Sequence, residues 1–594
     1  MKQWSLWAFL FLGSVLLTAC GGGSDSSSSE TGELQLMLTD AEEDFLTYQV
    51  TLQQVQLERR DGTTVNVLPL ATEVDFVQYQ DLNEVFAVMS IPAGRYESVT
   101  LSMDYTDAEI VIQDDTGTSY MADVVDGDGQ PVTTLDVDLD LGDGDTINIR
   151  PGRLARLTLD LDLAASNHIV SFEPALVEVE PFIMGRAIVD EDREHRVRGL
   201  LKRVDEAGSS ISLNVRPLRL RRGGFGDFTF QVDNDTLYEI DGTEYSGDTG
   251  LSAMAALATD TPVVAFGEYD ARLDGQLASH VIAGSSVAWS GKDVLKGVVR
   301  ARNGNTLTIG GAVVEPDDQV AAFLTEITLM VDSETPVTGY RLGDATIDNL
   351  SVGQRILALG QFKSDLFEND QFDATDGLVR MKLNRIVGQV NAPMPLALDL
   401  AWINRRPVAR YDFAGTGMSD VEDADPANYE IDTATLDTSG ITTDEWIQVR
   451  GYPTAFGSAP EDFDAVSVIN PSLESAIAKF VAHWEEGVAG GVTVQGNDLV
   501  LDTANARSYL HLRGLPAVVT AQFELTSITG DTNEGRFALL TRGEGIRLYR
   551  NYIDFVTAVS AKLNAGHTVR HLSASGSYSD SSERMVATGI MVRL

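Results

Sequence analysis

The side chains in this sequence with chemistry to offer are mostly carboxylates. Asp123, Asp126 and Asp128 flank a glycine turn and supply hard oxygen ligands of the kind that hold calcium. The loop lacks the glutamate that closes an EF-hand, because Val137 stands at the twelfth position when Asp126 is the first. Calcium is the one cofactor these residues suggest. A second group is basic: Arg216, Arg219, Arg221 and Arg222 run into Gly223-Gly224-Phe225-Gly226. On a strand Arg219 and Arg221 share a face. With Arg222 they form a candidate anion-binding group, able to meet either an acidic neighbouring domain or an anionic polymer. The glycines beside them predict an exposed loop.

Catalytic patterns are missing. His567 and His571 lie four apart, but no acidic residue stands at a metal-ligand spacing and His-Glu-x-x-His does not occur. A Gly-x-Ser-x-Gly elbow is absent, and Cys20 is the only cysteine. Paired carboxylates are too numerous to mark an acid–base pair. The expectation is a protein without catalytic activity. The alternative is a carbohydrate-binding or carbohydrate-hydrolysing protein, which an aromatic content of 7% and the lack of Trp-x-Trp do not favour.

Cys20 has its own context. Lys2, an apolar run from Trp4 to Leu17 and Leu17-Thr18-Ala19 precede it, and Gly21-Gly22-Gly23 follow. A charged start, a short apolar core and a small residue before the cut read as a secretory signal over 1–19. Leu17-Thr18-Ala19-Cys20 resembles the lipobox of bacterial lipoproteins. The resemblance implies lipid attachment at Cys20, and Gly21 where inner-membrane lipoproteins carry Asp implies the outer membrane. Residues 20–32 then form a Gly/Ser leash whose ten or so flexible residues span roughly 16–19 Å. The membrane is thus the first expected partner, reached through the lipid. The side that the protein faces is left open.

The formal charge is −46. Between 33 and 181 about thirty acidic side chains meet six arginines, and no lysine occurs between Lys2 and Lys202. Such a surface repels phosphate backbones, so nucleic acid is not an expected partner. An envelope polymer or protein is.

Alternation with period two dominates the rest. Thr134–Leu141 and Arg156–Leu163 each place apolar side chains on one face and polar ones on the other. Gly142-Asp143-Gly144-Asp145 between them offers hairpin chemistry. Leu36-Met37-Leu38-Thr39-Asp40-Ala41, Ile91-Pro92-Ala93-Gly94-Arg95-Tyr96, and Leu157–Leu163 with Phe172-Glu173-Pro174-Ala175-Leu176 resemble, in order, the motifs of domain-of-unknown-function family 4382. Glu42 departs from that pattern, where proline is usual, and the family carries no activity to transfer.

Farther on, a motif recurs about every 90 residues, later in its last copy: Phe266-Gly267-Glu268-Tyr269, Leu359-Gly360-Gln361-Phe362, Arg450-Gly451-Tyr452 and Ser575-Gly576-Ser577-Tyr578. Each unit opens on a strand, in the first three with a glycine inside it, as in Val197-Arg198-Gly199. Corner glycines, apolar alternation and a recurring hairpin suggest OB-like barrels. The first three units resemble domain-of-unknown-function family 5666, also of unknown activity.

The predicted fold is therefore all-β. An antiparallel β-sandwich over 33–181 precedes small OB-like β-barrels over 186–290, 294–384, 385–470 and a divergent 471–594. Two helices are expected, one with Tyr552, Val556, Val559 and Leu563 on one face and Gly566 as its stop, the other carrying Leu473, Ile477, Phe480 and Trp484. The predicted role is a lipid-anchored modular binding or structural arm.

Overall fold

The computed structural model describes residues 30–40, 45–79, 82–114, 118–126, 129–141, 146–161, 163–179, 183–186, 194–216, 223–270, 272–273, 275–288, 291–316, 321–339, 345–363, 370–404, 406–470, 476–512, 524–531, 535–579 and 582–594. Cys20 and residues 21–29 of its leash, Gly142–Asp145, Asp128, and Arg219, Arg221 and Arg222 lie outside them, and the strand Thr31–Asp40 takes in the last two residues assigned to the leash. The architecture is all-β.

Two sheets face each other in the N-terminal domain. One carries Thr31–Asp40 between Leu82–Pro92 and Leu154–Leu161; the other carries Gly94–Gln113 between Phe45–Arg59 and Thr134–Asp140. Leu36, Leu38, Leu101, Val99 and Leu157 close the space between them. The structure departs from a purely antiparallel sandwich, because Thr31–Asp40 pairs parallel with Leu154–Leu161. Thr134–Asp140 and Leu154–Leu161 therefore belong to different sheets and form no hairpin with each other. Thr134–Asp140 keeps the expected wet face. In Leu154–Leu161 both faces are covered, with Thr158 and Asp160 2% and 4% exposed.

Three barrels share one strand order. In the first, Glu194–Asp205 pairs antiparallel with Ser210–Val215 and with Pro262–Asp270. Asp227–Gln231 follows Ser210–Val215 and meets Gly275–Ala283 in parallel, and Gly275–Ala283 returns to Pro262–Asp270. The order 1-2-3-5-4-1 recurs in Asp293–Asn303, Thr306–Glu315, Ala322–Met330, Arg355–Lys363 and Gln371–Met381. It recurs again in Asn384–Pro393, Leu396–Ile403, Tyr429–Asp432, Trp446–Pro453 and Phe463–Ile469. This is the five-stranded closure of an OB-like barrel.

The repeated glycine explains part of the closure. Gly267, Gly360, Gly451 and Gly576 each sit beside a register shift in the fourth strand. A Cβ there would stand 2.0–2.2 Å from the carbonyl oxygen of the fifth strand. Only a residue without a side chain lets the backbones approach so closely at the bend.

The last domain keeps the order with its second position divided between Asp498–Leu501 and Arg507–Leu512. The helix Tyr552–Asn564 packs Tyr552, Phe555, Val556 and Val559 on it. Asn551 caps the helix, accepting from the N–H groups of Ile553 and Asp554 at 2.8 and 3.2 Å. The other predicted helix is a correction: Ala476–Val488 is a strand between Arg507–Leu512 and Val569–Ser579. Leu473 lies outside the described residues. Ala478, Phe480, Ala482 and Trp484 alternate inward, the period of a strand.

The domains do not stand apart like beads. Leu82–Pro92 of the sandwich pairs parallel with Glu194–Asp205 of the first barrel, and the two share one continuous core. Phe225 fixes the same seam. It is fully buried, meets Phe86 edge-on at 6.0 Å and accepts a 2.7 Å backbone bond from Val88. The expected exposed loop is thus docked at Phe225, and only Gly224 of the run is exposed. Val387, Trp402 and Trp446 of the third barrel pack on the core of the last domain. That domain pairs back onto the sandwich, Ile546 against Leu139, with Ala538, Ile546 and Met591 in the sandwich core. The sequence of contacts closes into a ring.

Candidate functional site: a basic cavity between the domains

Four domains of the ring border a cavity of about 1970 Å³. The sandwich forms one wall and the first three barrels the others. Charge is inverted here relative to the whole chain. Ten of the 43 lysines and arginines line the cavity, against six of the 89 carboxylates. All ten come from barrels, and five of the six acids come from the sandwich.

Arg196 and Arg198 project from the opening strand of the first barrel. Both pair with Glu84, which is fully buried in the sandwich; the Arg198 Nε donates to it at 2.7 Å. The Arg196 Nη2 also donates to the Gln78 carbonyl at 2.9 Å, and both guanidiniums lie 5.8 Å from the Tyr79 ring. Burial pushes the Tyr79 hydroxyl well above the usual phenol range. These arginines hold a seam and line the cavity at once.

The second barrel supplies Lys296, Arg355, Arg380 and, at its end, Lys382. The Lys296 amine donates to Glu315 at 2.7 Å. Arg380 pairs with Glu239 of the first barrel and donates to the Ser286 carbonyl at 2.7 Å. The Lys382 amine makes no ion pair with the described residues. Burial, followed by the charges of Arg380 and Arg355, pushes Lys382 down to about 7, against the pull of Glu239.

The third barrel adds Arg385, Arg406, Arg410 and Arg450. The Arg406 Nη1 donates to the Gly310 carbonyl at 2.9 Å, and a Cβ on Gly311 would stand 1.9 Å from its guanidinium nitrogens. Arg300 of the second barrel donates to the Arg410 carbonyl at 2.9 Å. An amide network joins the same barrels: the Asn384 Nδ2 donates to Gln354 at 3.1 Å, and the Asn404 Nδ2 donates to the Asn384 Oδ1 at 3.0 Å.

Glu84, Glu239 and Glu315 thus pair with four of the ten cations. Lys382, Arg355 and Arg406 lie at the junction of the second and third barrels. A site so composed can offer an anion charge-assisted hydrogen bonds.

Of the residues singled out in the sequence, those that are described lie elsewhere. Asp123 is exposed on Asp123–Val125, and the Asp126 carboxylate accepts from the Gln130 N–H at 2.8 Å across a turn. Among the described residues no three His, Cys, Asp or Glu side chains gather as metal ligands. His571 is 3% exposed, its ring 6.2 Å from that of His483. Arg216 donates to the Val215 carbonyl at 2.7 Å. The cavity cations carry no local mark, because they lie one to three at a time in six stretches between 196 and 450 that only the docking of barrels brings together. Position within the unit was the available signal: Arg198 and Lys296 immediately precede Gly199 and Gly297, and Arg196 and Arg385 stand three before Gly199 and Gly388.

Compared with known proteins, residues 31–172 match a domain of unknown function, DUF4382. The match covers the sandwich as far as Phe172, including its wall of the cavity. No curated protein matches the chain.

Proposed function

We propose that the chain is a lipid-anchored protein of the bacterial outer membrane whose ring of domains binds an anionic ligand in the central cavity and does not transform it. The lipobox-like segment around Cys20 supports the anchoring, and the resemblance of the barrels to domain-of-unknown-function family 5666 supports a modular origin. The observation that carries the binding role is the inversion of charge: an acidic protein gathers ten of its 43 basic side chains around one cavity. Clustered cations repel one another unless an anion offsets them, and in the cavity lining cations outnumber carboxylates ten to six.

Titration of the full chain with inorganic pyrophosphate tests the reading. Binding that weakens at least tenfold in Arg355→Glu/Lys382→Glu supports it, and unchanged or absent binding removes it. Incorporation of labelled palmitate, lost in Cys20→Ser, tests the anchor. The competing reading, a carbohydrate-binding or carbohydrate-hydrolysing protein, has one observation in its favour. Trp402 lines the cavity, with Trp446 behind it at 5.8 Å.

A further inference from the structure

The cavity wall is not uniformly polar. Strand register sets apolar side chains directly beside the cations: Val264 opposite Arg198 and Phe266 opposite Arg196 in the first barrel. In the second barrel Leu357 is the cross-strand neighbour of both Lys296 and Arg380, and Val313 is the other neighbour of Lys296. Paired residues of neighbouring strands point to the same side of a sheet, so the cavity sees bands of cation and hydrocarbon. Val264, Phe266, Val313 and Leu357 are only partly buried, and Leu383, next to Lys382, is 37% exposed. Met121, on the sandwich side, is 57% exposed.

A small hydrophilic anion uses none of this apolar surface, and water gains nothing from it. The volume points the same way. At about 1970 Å³ the cavity is roughly twice the upper end of ordinary small-molecule pockets.

We propose, resting on the anion-binding reading above, that the occupant is an anionic amphiphile: a phosphate- or carboxylate-bearing headgroup joined to hydrocarbon. The headgroup sits against Lys382, Arg355 and Arg406. The hydrocarbon lies along Val264, Phe266 and Leu357, and long cationic stems from Arg196 and Arg198 extend the apolar surface beneath it.

The test is a chain-length series: inorganic phosphate, butyl, hexyl and octyl phosphate titrated into the full chain in nanodiscs of zwitterionic lipid, with empty nanodiscs as the blank. A fatty carboxylate, octanoate, runs alongside to separate the two headgroups. The expected result is affinity rising with chain length, by up to about fourfold per methylene. Phe266→Ser and Leu357→Ser should each flatten that slope, and Lys382→Ala should weaken every member of the series. Circular dichroism of the variants separates a lost contact from a lost fold. Equal affinity for phosphate and octyl phosphate overturns the amphiphile and leaves the anion site standing. Tighter binding of an oligogalacturonate than of octyl phosphate also overturns it, in favour of an acidic saccharide. If no anion binds, the anion-binding reading falls with it.

Discussion

Arg380 of the second barrel donates two hydrogen bonds to Glu239 of the first, Nε to Oε2 at 3.0 Å and Nη2 to Oε1 at 2.6 Å, with the side chains 7% and 3% exposed. A fork of this kind is strong because both partners are charged and their geometries match. Removing one partner strands the other charge out of water. Glu239→Ala should therefore destabilise the seam by about 3–5 kcal/mol, read as a lower urea midpoint. Burial pushes Glu239 up, but the charge and hydrogen bonds of Arg380 more than reverse it, leaving the carboxyl below its ordinary value. Its contribution is present above the unfolded value near 4.5 and is lost as pH falls through the depressed folded value. The wild-type and Glu239→Ala melting curves should converge in acid.

Phe225 docks the first barrel on the sandwich with its ring fully buried against Phe86. Phe225→Ala should cost about 3–5 kcal/mol through lost contact and the void left behind. Limited proteolysis should then cut the connection between the two units faster than in the wild type.

Gly360→Ala would set a methyl group 2.2 Å from the Asp373 carbonyl oxygen. The fourth and fifth strands must separate to admit it, at about 1–3 kcal/mol or more. Gly224→Ala, where nothing lies within 4 Å, is the control and should leave the melting temperature within about a degree.

Lys382 tests the electrostatics of the cavity. Its ammonium is pushed down from 10.5 to about 7. Below 7 it is charged in both folded and unfolded chains, and the folded state bears the full penalty. Between 7 and 10.5 the unfolded chain binds the extra proton, so folded stability rises with pH. Lys382→Met should raise the melting temperature at pH 6 and matter progressively less toward pH 10. An anion bound beside it favours the charged form. Binding at pH 8 should therefore take up a proton, visible as a heat that depends on buffer ionisation, and Lys382→Met should abolish the uptake.

Much of the fold was legible because its periods are local. The helix Tyr552–Asn564 shows a 3.6-residue stripe, Tyr552, Val556, Val559 and Leu563, within twelve consecutive positions, with Gly566 just beyond it. The repeating glycines mark the barrels because one bend in each demands them. The segment around Phe480 and Trp484 misled, since Ile477, Phe480 and Trp484 also satisfy helical spacing, while the inward alternation of Ala478 to Trp484 is spelled partly in alanine. The parallel pair within the sandwich and the cavity both depend on segments far apart in sequence. Arg196, Lys382 and Arg406 become neighbours of one space only after barrels have closed and docked, and no local period records that event.

The strand Thr134–Asp140 receives its last neighbour, Gly545–Tyr549, from a point about 400 residues later in the chain. A chain folding from its N-terminus leaves that sheet edge open until its last domain has been made. An open edge is a template for the wrong strand, whether from a second copy or from a barrel in transit. The aspartates that alternate along it, Asp136 and Asp138, are exposed in the finished ring. While the chain is still growing, their like charges guard a vacancy until its intended occupant arrives.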